Sequence, residues 1–106
     1  LFVKLIKKIN NFINNYNIIK TMNNVKLFGN ISKINNKNNL TVDFKNLNIY
    51  EMLDKLSEIL NLEKSFLNNE NLLIAINNVE ISALNEKKTV IETGDLISII
   101  SINHGG

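Results

Sequence analysis

In the body of this 106-residue chain, one segment reads clearly as a long helix, and those around it read as short strands. Between Ile49 and Leu60, the residues Ile49, Met52, Leu53, Leu56, Ile59 and Leu60 recur at i, i+3, i+4 and i+7. Charged residues occupy the opposite side, which is the signature of an amphipathic helix laid on a core. Asn46 or Asn48 is placed to cap it. A single helix can cover only one face of a small sheet. The chain is therefore expected to be one α+β domain of two layers.

The strands follow from local pattern. Val25-Lys26-Leu27-Phe28 reads as a first strand with Gly29 near its end. The run Asn35-Asn36-Lys37-Asn38-Asn39 reads as a turn, because asparagine tolerates the left-handed region and bonds its own backbone. Leu40 to Phe44 alternates and returns as a second strand, giving a hairpin. A polar loop follows the helix, then Leu72 to Ile76 forms a third strand. Asn77-Asn78 stands where a tight hairpin turn needs positive φ, with Val79-Glu80-Ile81 continuing briefly beyond it. A turn at Glu92-Thr93-Gly94-Asp95 leads into the last strand, Leu96 to Ile102. If the first and last strands lie adjacent and parallel at the sheet centre, the arrangement is the β-grasp, the ubiquitin-like roll: a mixed sheet packed on one main helix. Pattern alone leaves other ββαββ arrangements open.

Residues 1–21 stand apart. Phe2, Leu5, Ile6, Ile9, Phe12, Ile13 and Tyr16 share one helical face, opposite lysines and asparagines. The segment carries Lys4, Lys7, Lys8 and Lys20 and no acid, whereas eight lysines face ten carboxylates from Met22 onward. Three origins fit this basic amphipathic extension: a targeting segment, an extra helix on the domain or on a membrane surface, or a mis-called start. Leu1 stands in first place and Met22 opens a full set of strands, which favours the mis-called start, then the extra helix. The domain boundary is placed near Met22, giving an extension of 1–21 and a domain of 22–106.

Composition excludes several chemistries. Without cysteine there is no disulfide, thiolate metal site or cysteine nucleophile, and the single histidine, His104, cannot build a metal site alone. All twelve basic residues are lysine, which weakens a nucleic-acid role, because bidentate phosphate and guanine contacts prefer arginine. No stretch is long and apolar enough to span a membrane. The abundance of asparagine, isoleucine and lysine fits an AT-rich coding sequence. There is no Ser-His-Asp set, no carboxylate pair in a known motif and no phosphate-binding glycine loop, so no catalytic residue is assigned. Lys87 and Lys88 read as a solvated turn and Asp95 as a turn residue.

Half of the four glycines are Gly105 and Gly106, directly after an apolar strand and His104. Lacking Cβ atoms, a Gly-Gly tail is narrow and leaves its carboxylate unhindered. From Met22 to Gly106 the chain resembles the ubiquitin-like sulfur carriers, the MoaD/ThiS group, with their relatives the ubiquitin-related modifiers and small archaeal modifiers. Four stretches carry the likeness. Val25-Lys26-Leu27-Phe28-Gly29 resembles the family's opening strand, and Tyr50 to Leu56 its helix. Ile76-Asn77-Asn78-Val79-Glu80-Ile81 is similar to the family's hydrophobic-Asn-Gly turn, with Asn78 in place of glycine. Thr93-Gly94-Asp95, the apolar strand and the final Gly105-Gly106 resemble the family's ending. Molybdopterin-synthase small subunits place prolines before Gly-Gly. Here that stretch is Ser101-Ile102-Asn103-His104, and the His-Gly-Gly ending is closer to the ubiquitin-related modifiers.

The resemblance implies a cytoplasmic carrier that is not itself an enzyme and holds no cofactor. An E1-like adenylating enzyme would use ATP to activate the Gly106 carboxylate, and a persulfide sulfur donor would convert it to a thiocarboxylate. Gly105, with His104 as a polar spacer, would thread the tail into partner sites, and a terminal Gly106 would need no maturation protease. The acceptor would be a molybdopterin-synthase large subunit, a tRNA thiolase, or the lysines of target proteins. Ile100 and Ile102, with apolar neighbours such as Phe28, are expected to form a docking patch beside the tail. The alternative is that the 1–21 helix covers that face.

Overall fold

A computed structural model describes residues 2–63, 66–69 and 71–102. Helix α1 spans Phe2–Thr21 and strand β1 spans Asn23–Gly29. Helix α2 (Asn30–Asn35) leads to strand β2 (Asn39–Val42), and the long amphipathic segment is helix α3 (Ile49–Ile59). A single turn, α4 (Phe66–Asn69), precedes strands β3 (Leu72–Ile76) and β4 (Val79–Glu80). Two short 3-10 turns, Ile81–Ala83 and Glu86–Lys88, lead towards strand β5 (Leu96–Ser101).

The five strands form one mixed sheet in the order β2-β1-β5-β3-β4. β1 and β5 run parallel at its centre, from Asn24 opposite Leu96 to Gly29 opposite Ser101. β2 and β3 flank them antiparallel. This is the α+β, β-grasp arrangement. The inward residues of the central strands, Val25, Leu27, Ile97 and Ile99, are almost fully buried. They meet Ile49, Met52, Leu53 and Leu56 from α3, and Phe44 and Ile91 from loops. Each such side chain contributes about 1.5–3 kcal/mol by leaving water.

α3 begins where the sequence places it. Asn48 closes a reciprocal capping box: its side chain accepts from the Glu51 N–H, and Glu51 Oε1 accepts from the Asn48 N–H. The far end differs from expectation. Ile59 is exposed, while Ser57 is buried and satisfies its hydroxyl by donating to the Leu53 carbonyl. The helix ends at Ile59, so at this end the apolar stripe reaches the core through Leu60, which lies just beyond.

Two connections also differ from the sequence reading. The link between β1 and β2 is not a simple hairpin turn but contains α2, which buries Ile31. Asn36 then takes the left-handed conformation (φ 52°) and ends that helix, the role expected of the asparagine run. β2 closes at Val42, two residues earlier than the alternation suggests, and Phe44 enters the core from the loop. The Asn77-Asn78 turn has positive φ at both residues, 51° and 69°, as a primed hairpin turn requires.

Candidate functional site

The layer of α3 covers one face of the sheet, and the other face is open. Strand alternation assigns Asn24, Lys26 and Phe28 of β1 to the open face, with Leu96, Ser98 and Ile100 of β5 and Leu73 and Ala75 of β3. Register then arranges these residues in ranks. Lys26 lies opposite Ser98, and Ser98 opposite Ala75. One step further along β5, Phe28 lies opposite Ile100, and Ile100 opposite Leu73.

From the rank of Lys26 and Ser98 to that of Phe28 and Ile100, the face turns from polar to apolar. Its last rank is a contiguous apolar strip, with Phe28 47%, Ile100 36% and Leu73 37% exposed. Ile102, also exposed, extends it beyond the end of β5 and is held by its N–H, which donates to the Asn71 carbonyl at 2.8 Å. Phe28, Ile100 and Ile102, expected to form a patch, are all exposed, with Phe28 and Ile100 paired in register on this surface. Among the described residues, α1 does not cover this surface: Phe28, Leu73 and Ile100 are exposed, and so are the apolar side chains of α1 from Phe2 to Ile13. Leu73 is an addition. The run Leu72 to Ile76 is apolar throughout, so its sequence gives no sign of which residues face outward.

The strand that carries this strip is fixed at both ends. At its start, Asp95 accepts from Asn77 Nδ2 through one carboxylate oxygen and from the Glu92 N–H through the other. Asn77 Oδ1 accepts from the Leu96 N–H, so the β3–β4 turn and the β5 turn lock together. Asp95 is spent in this turn, as its spacing suggests. At the far end, Gly29 (φ 78°) lies against the Ser101 backbone, and an added Cβ would sit 2.5 Å from the Ser101 carbonyl oxygen. A glycine is required there both for the left-handed backbone and for the close approach.

Other candidate groups are structural. Lys87 places its ammonium 5.5 Å from the centroid of the Tyr50 ring, a surface cation–π contact. Among the described residues, no group of three His, Asp or Glu side chains is placed to hold a metal. His104, Gly105 and Gly106 lie outside the described residues. What the structure gives is a central strand, paired on both sides, with an apolar strip beside its outgoing end.

No family model matches the sequence, and no curated protein matches it. In three dimensions the chain is similar to Urm1 from Trypanosoma brucei (TM-score 0.63, 18% identity, covering 81% of this chain and 96% of that one). It is also similar to the small archaeal modifier protein SAMP1 from Methanosarcina acetivorans (TM-score 0.59, 22% identity, 81% and 97% covered). The SAMP1 of Haloferax volcanii superposes comparably (TM-score 0.62, 14% identity, 80% and 99% covered). At such identities the likeness establishes the fold. Among the described residues, no helix is long and apolar enough to cross a membrane.

Proposed function

We propose that this chain is a ubiquitin-like sulfur carrier that works as a co-substrate of partner enzymes. One observation carries the proposal: the apolar strip of Phe28, Ile100 and Leu73 lies at the end of β5 that leads to Gly105-Gly106, on the fold of Urm1 and SAMP1. An E1-like enzyme would dock on the strip, with the glycines narrow enough to enter its adenylation site. The Gly106 carboxylate oxygen attacks the α-phosphorus of ATP, forming an acyl-adenylate and releasing pyrophosphate. The terminal sulfur of a donor persulfide then attacks the acyl carbon and expels AMP. A donor thiol next attacks the inner sulfur of the resulting acyl disulfide, forming a donor disulfide and freeing the thiocarboxylate. That group passes its sulfur to an acceptor, in molybdopterin-type cofactor synthesis or in tRNA thiolation.

The likeness to SAMP1, a small archaeal modifier protein, favours a second outcome for the same activated terminus. A lysine amine of a target protein would replace sulfur as nucleophile and leave Gly106 in an isopeptide bond.

Intact mass spectrometry after incubation with the activating enzyme, ATP and a persulfide donor tests the first step. The expected result is replacement of one oxygen by sulfur at Gly106. No mass change, together with full cellular activity after deletion of Gly105 and Gly106, would overturn both outcomes. Gly-Gly remnants on lysines in the proteome would select the modifier. Co-purification with a molybdopterin-synthase large subunit or a tRNA thiolase would select the carrier.

A further inference from the structure

From Phe2 to Ile13, helix α1 presents its apolar side chains to solvent. Phe2 is 74% and Phe12 73% exposed, and Leu5, Ile6, Ile9 and Ile13 are exposed with them. At 3.6 residues per turn these six fall within an arc of about 120°. Lys4, Lys7, Lys8, Asn10, Asn11 and Asn14 lie outside that arc and are exposed, with one apolar residue, Val3, among them. Charge follows the same division of the chain. The first 21 residues hold four lysines and no carboxylate, while the remainder holds eight lysines and ten carboxylates. Among the described residues, the acid-free, lysine-bearing segment and an exposed apolar face are thus one helix.

We propose that α1 docks flat on an anionic lipid bilayer, with its apolar arc at the acyl boundary and Lys4, Lys7 and Lys8 among the phosphates. A basic amphipathic helix with Phe, Leu and Ile on one side has the chemistry for this position. It does not span, because no described helix is long and apolar enough to cross. The slight acidity of the remainder keeps the sheet and its strip off the same surface. A second copy of the helix is a poorer occupant, because pairing two acid-free helices sets lysine against lysine with no carboxylate to relieve it. The strip of the sheet is poorer still. It is exposed in the structure that exposes α1, and Lys26 stands in the rank beside it. The inference extends beyond the tail chemistry and does not depend on it.

The test uses the full chain with vesicles of phosphatidylcholine alone or mixed with phosphatidylglycerol. Binding to the anionic vesicles should be at least about tenfold tighter and should weaken sharply between about 0.1 M and about 1 M salt, as the screening length contracts. Changing Lys4, Lys7 and Lys8 together to Gln should lower partitioning on the order of a hundredfold, with the urea midpoint of the domain unchanged. The chain has no cysteine, so Phe12→Cys and Asn11→Cys each give a single labelling site. An environment-sensitive dye should shift to the blue on vesicles at position 12 and not at position 11. Equal binding to both vesicle types, or no binding, overturns the proposal. So does a dimer formed without lipid and abolished by Phe12→Asp, which would make a second copy the occupant. A lipid-independent blue shift at position 12 in a monomer, reversed by Ile100→Asp, would assign α1 to the sheet and overturn it equally.

Discussion

Asn23 has no exposed surface, and its side chain joins three segments distant in sequence. Its Nδ2 donates to the Glu92 carbonyl at 2.9 Å and to the Asp95 carbonyl at 3.1 Å, while its Oδ1 accepts from the Phe44 N–H at 2.8 Å. The side chain thus ties the start of β1 to the turn before β5 and to the loop after β2. Asn23→Ala should lower stability by about 3 kcal/mol, since it deletes these bonds and strands the buried Phe44 donor. Urea denaturation should show a reduced midpoint at unchanged m-value. The neighbouring asparagines of the β3–β4 turn should respond in opposite directions. Asn78→Gly relieves a left-handed residue (φ 69°) and should stabilise by about 0.5 kcal/mol. Asn77→Gly relieves similar backbone strain but removes the bonds to Asp95 and Leu96, and should destabilise by about 1–2 kcal/mol in the same measurement. In a chain crowded with asparagine, these positions differ from the background because their side chains or backbones have specific work to do. Nothing in the local sequence distinguishes Asn23, whose partners lie 21 to 72 residues away.

Individual elements were legible to different degrees, for physical reasons. α3 announces itself because its period, its Asn48 cap and its length all agree, and only the last turn misleads, where Ile59 leaves the core. β1 and β5 read as strands because alternation and their bounding turns coincide. α2 and α4 are hidden because each is a turn or two long and leaves few apolar residues to show a period. The open face of β5 was legible from its alternation, since Ile100 and Ile102 are apolar where a solvated edge of the period would be polar. Its partner Leu73 was not, since facing in an all-apolar strand is set by register with β5, a tertiary fact. The strip should matter more for recognition than for folding. Ile100→Asp should lower stability by about 1–2 kcal/mol, because the side chain is only 36% exposed on a central strand. It should reduce the kcat/KM of adenylation by the activating enzyme at least tenfold, the scale of about 1.4 kcal/mol of lost docking. Unchanged adenylation kinetics of a folded Ile100→Asp protein would remove the strip from the docking surface.

Across the whole molecule, stability is unevenly distributed. The central pair β1 and β5 is hydrogen-bonded on both sides and backed by α3, whereas α1 exposes its apolar arc and begins without an acidic residue in its first turn. A 20-residue helix rich in asparagine is marginal without tertiary support. Hydrogen exchange should therefore find amides of Val25, Leu27, Ile97 and Ile99 opening only with global unfolding, and those of α1 exchanging orders of magnitude faster. Equal protection along α1 and β5 would contradict this division. The same topology bears on synthesis. β5 occupies the middle of the sheet but is made after every other strand, so a ribosome that has completed β4 has produced two hairpin-like halves with no shared partner. Until Leu96–Ser101 emerges, β1 and β3 each offer an unpaired edge to solvent, to each other's neighbours and to other nascent chains. Closure of the sheet in this sense waits for β5. A pause or truncation ahead of Leu96 should yield not a slightly weakened domain but an aggregation-prone fragment and a substrate for proteolysis.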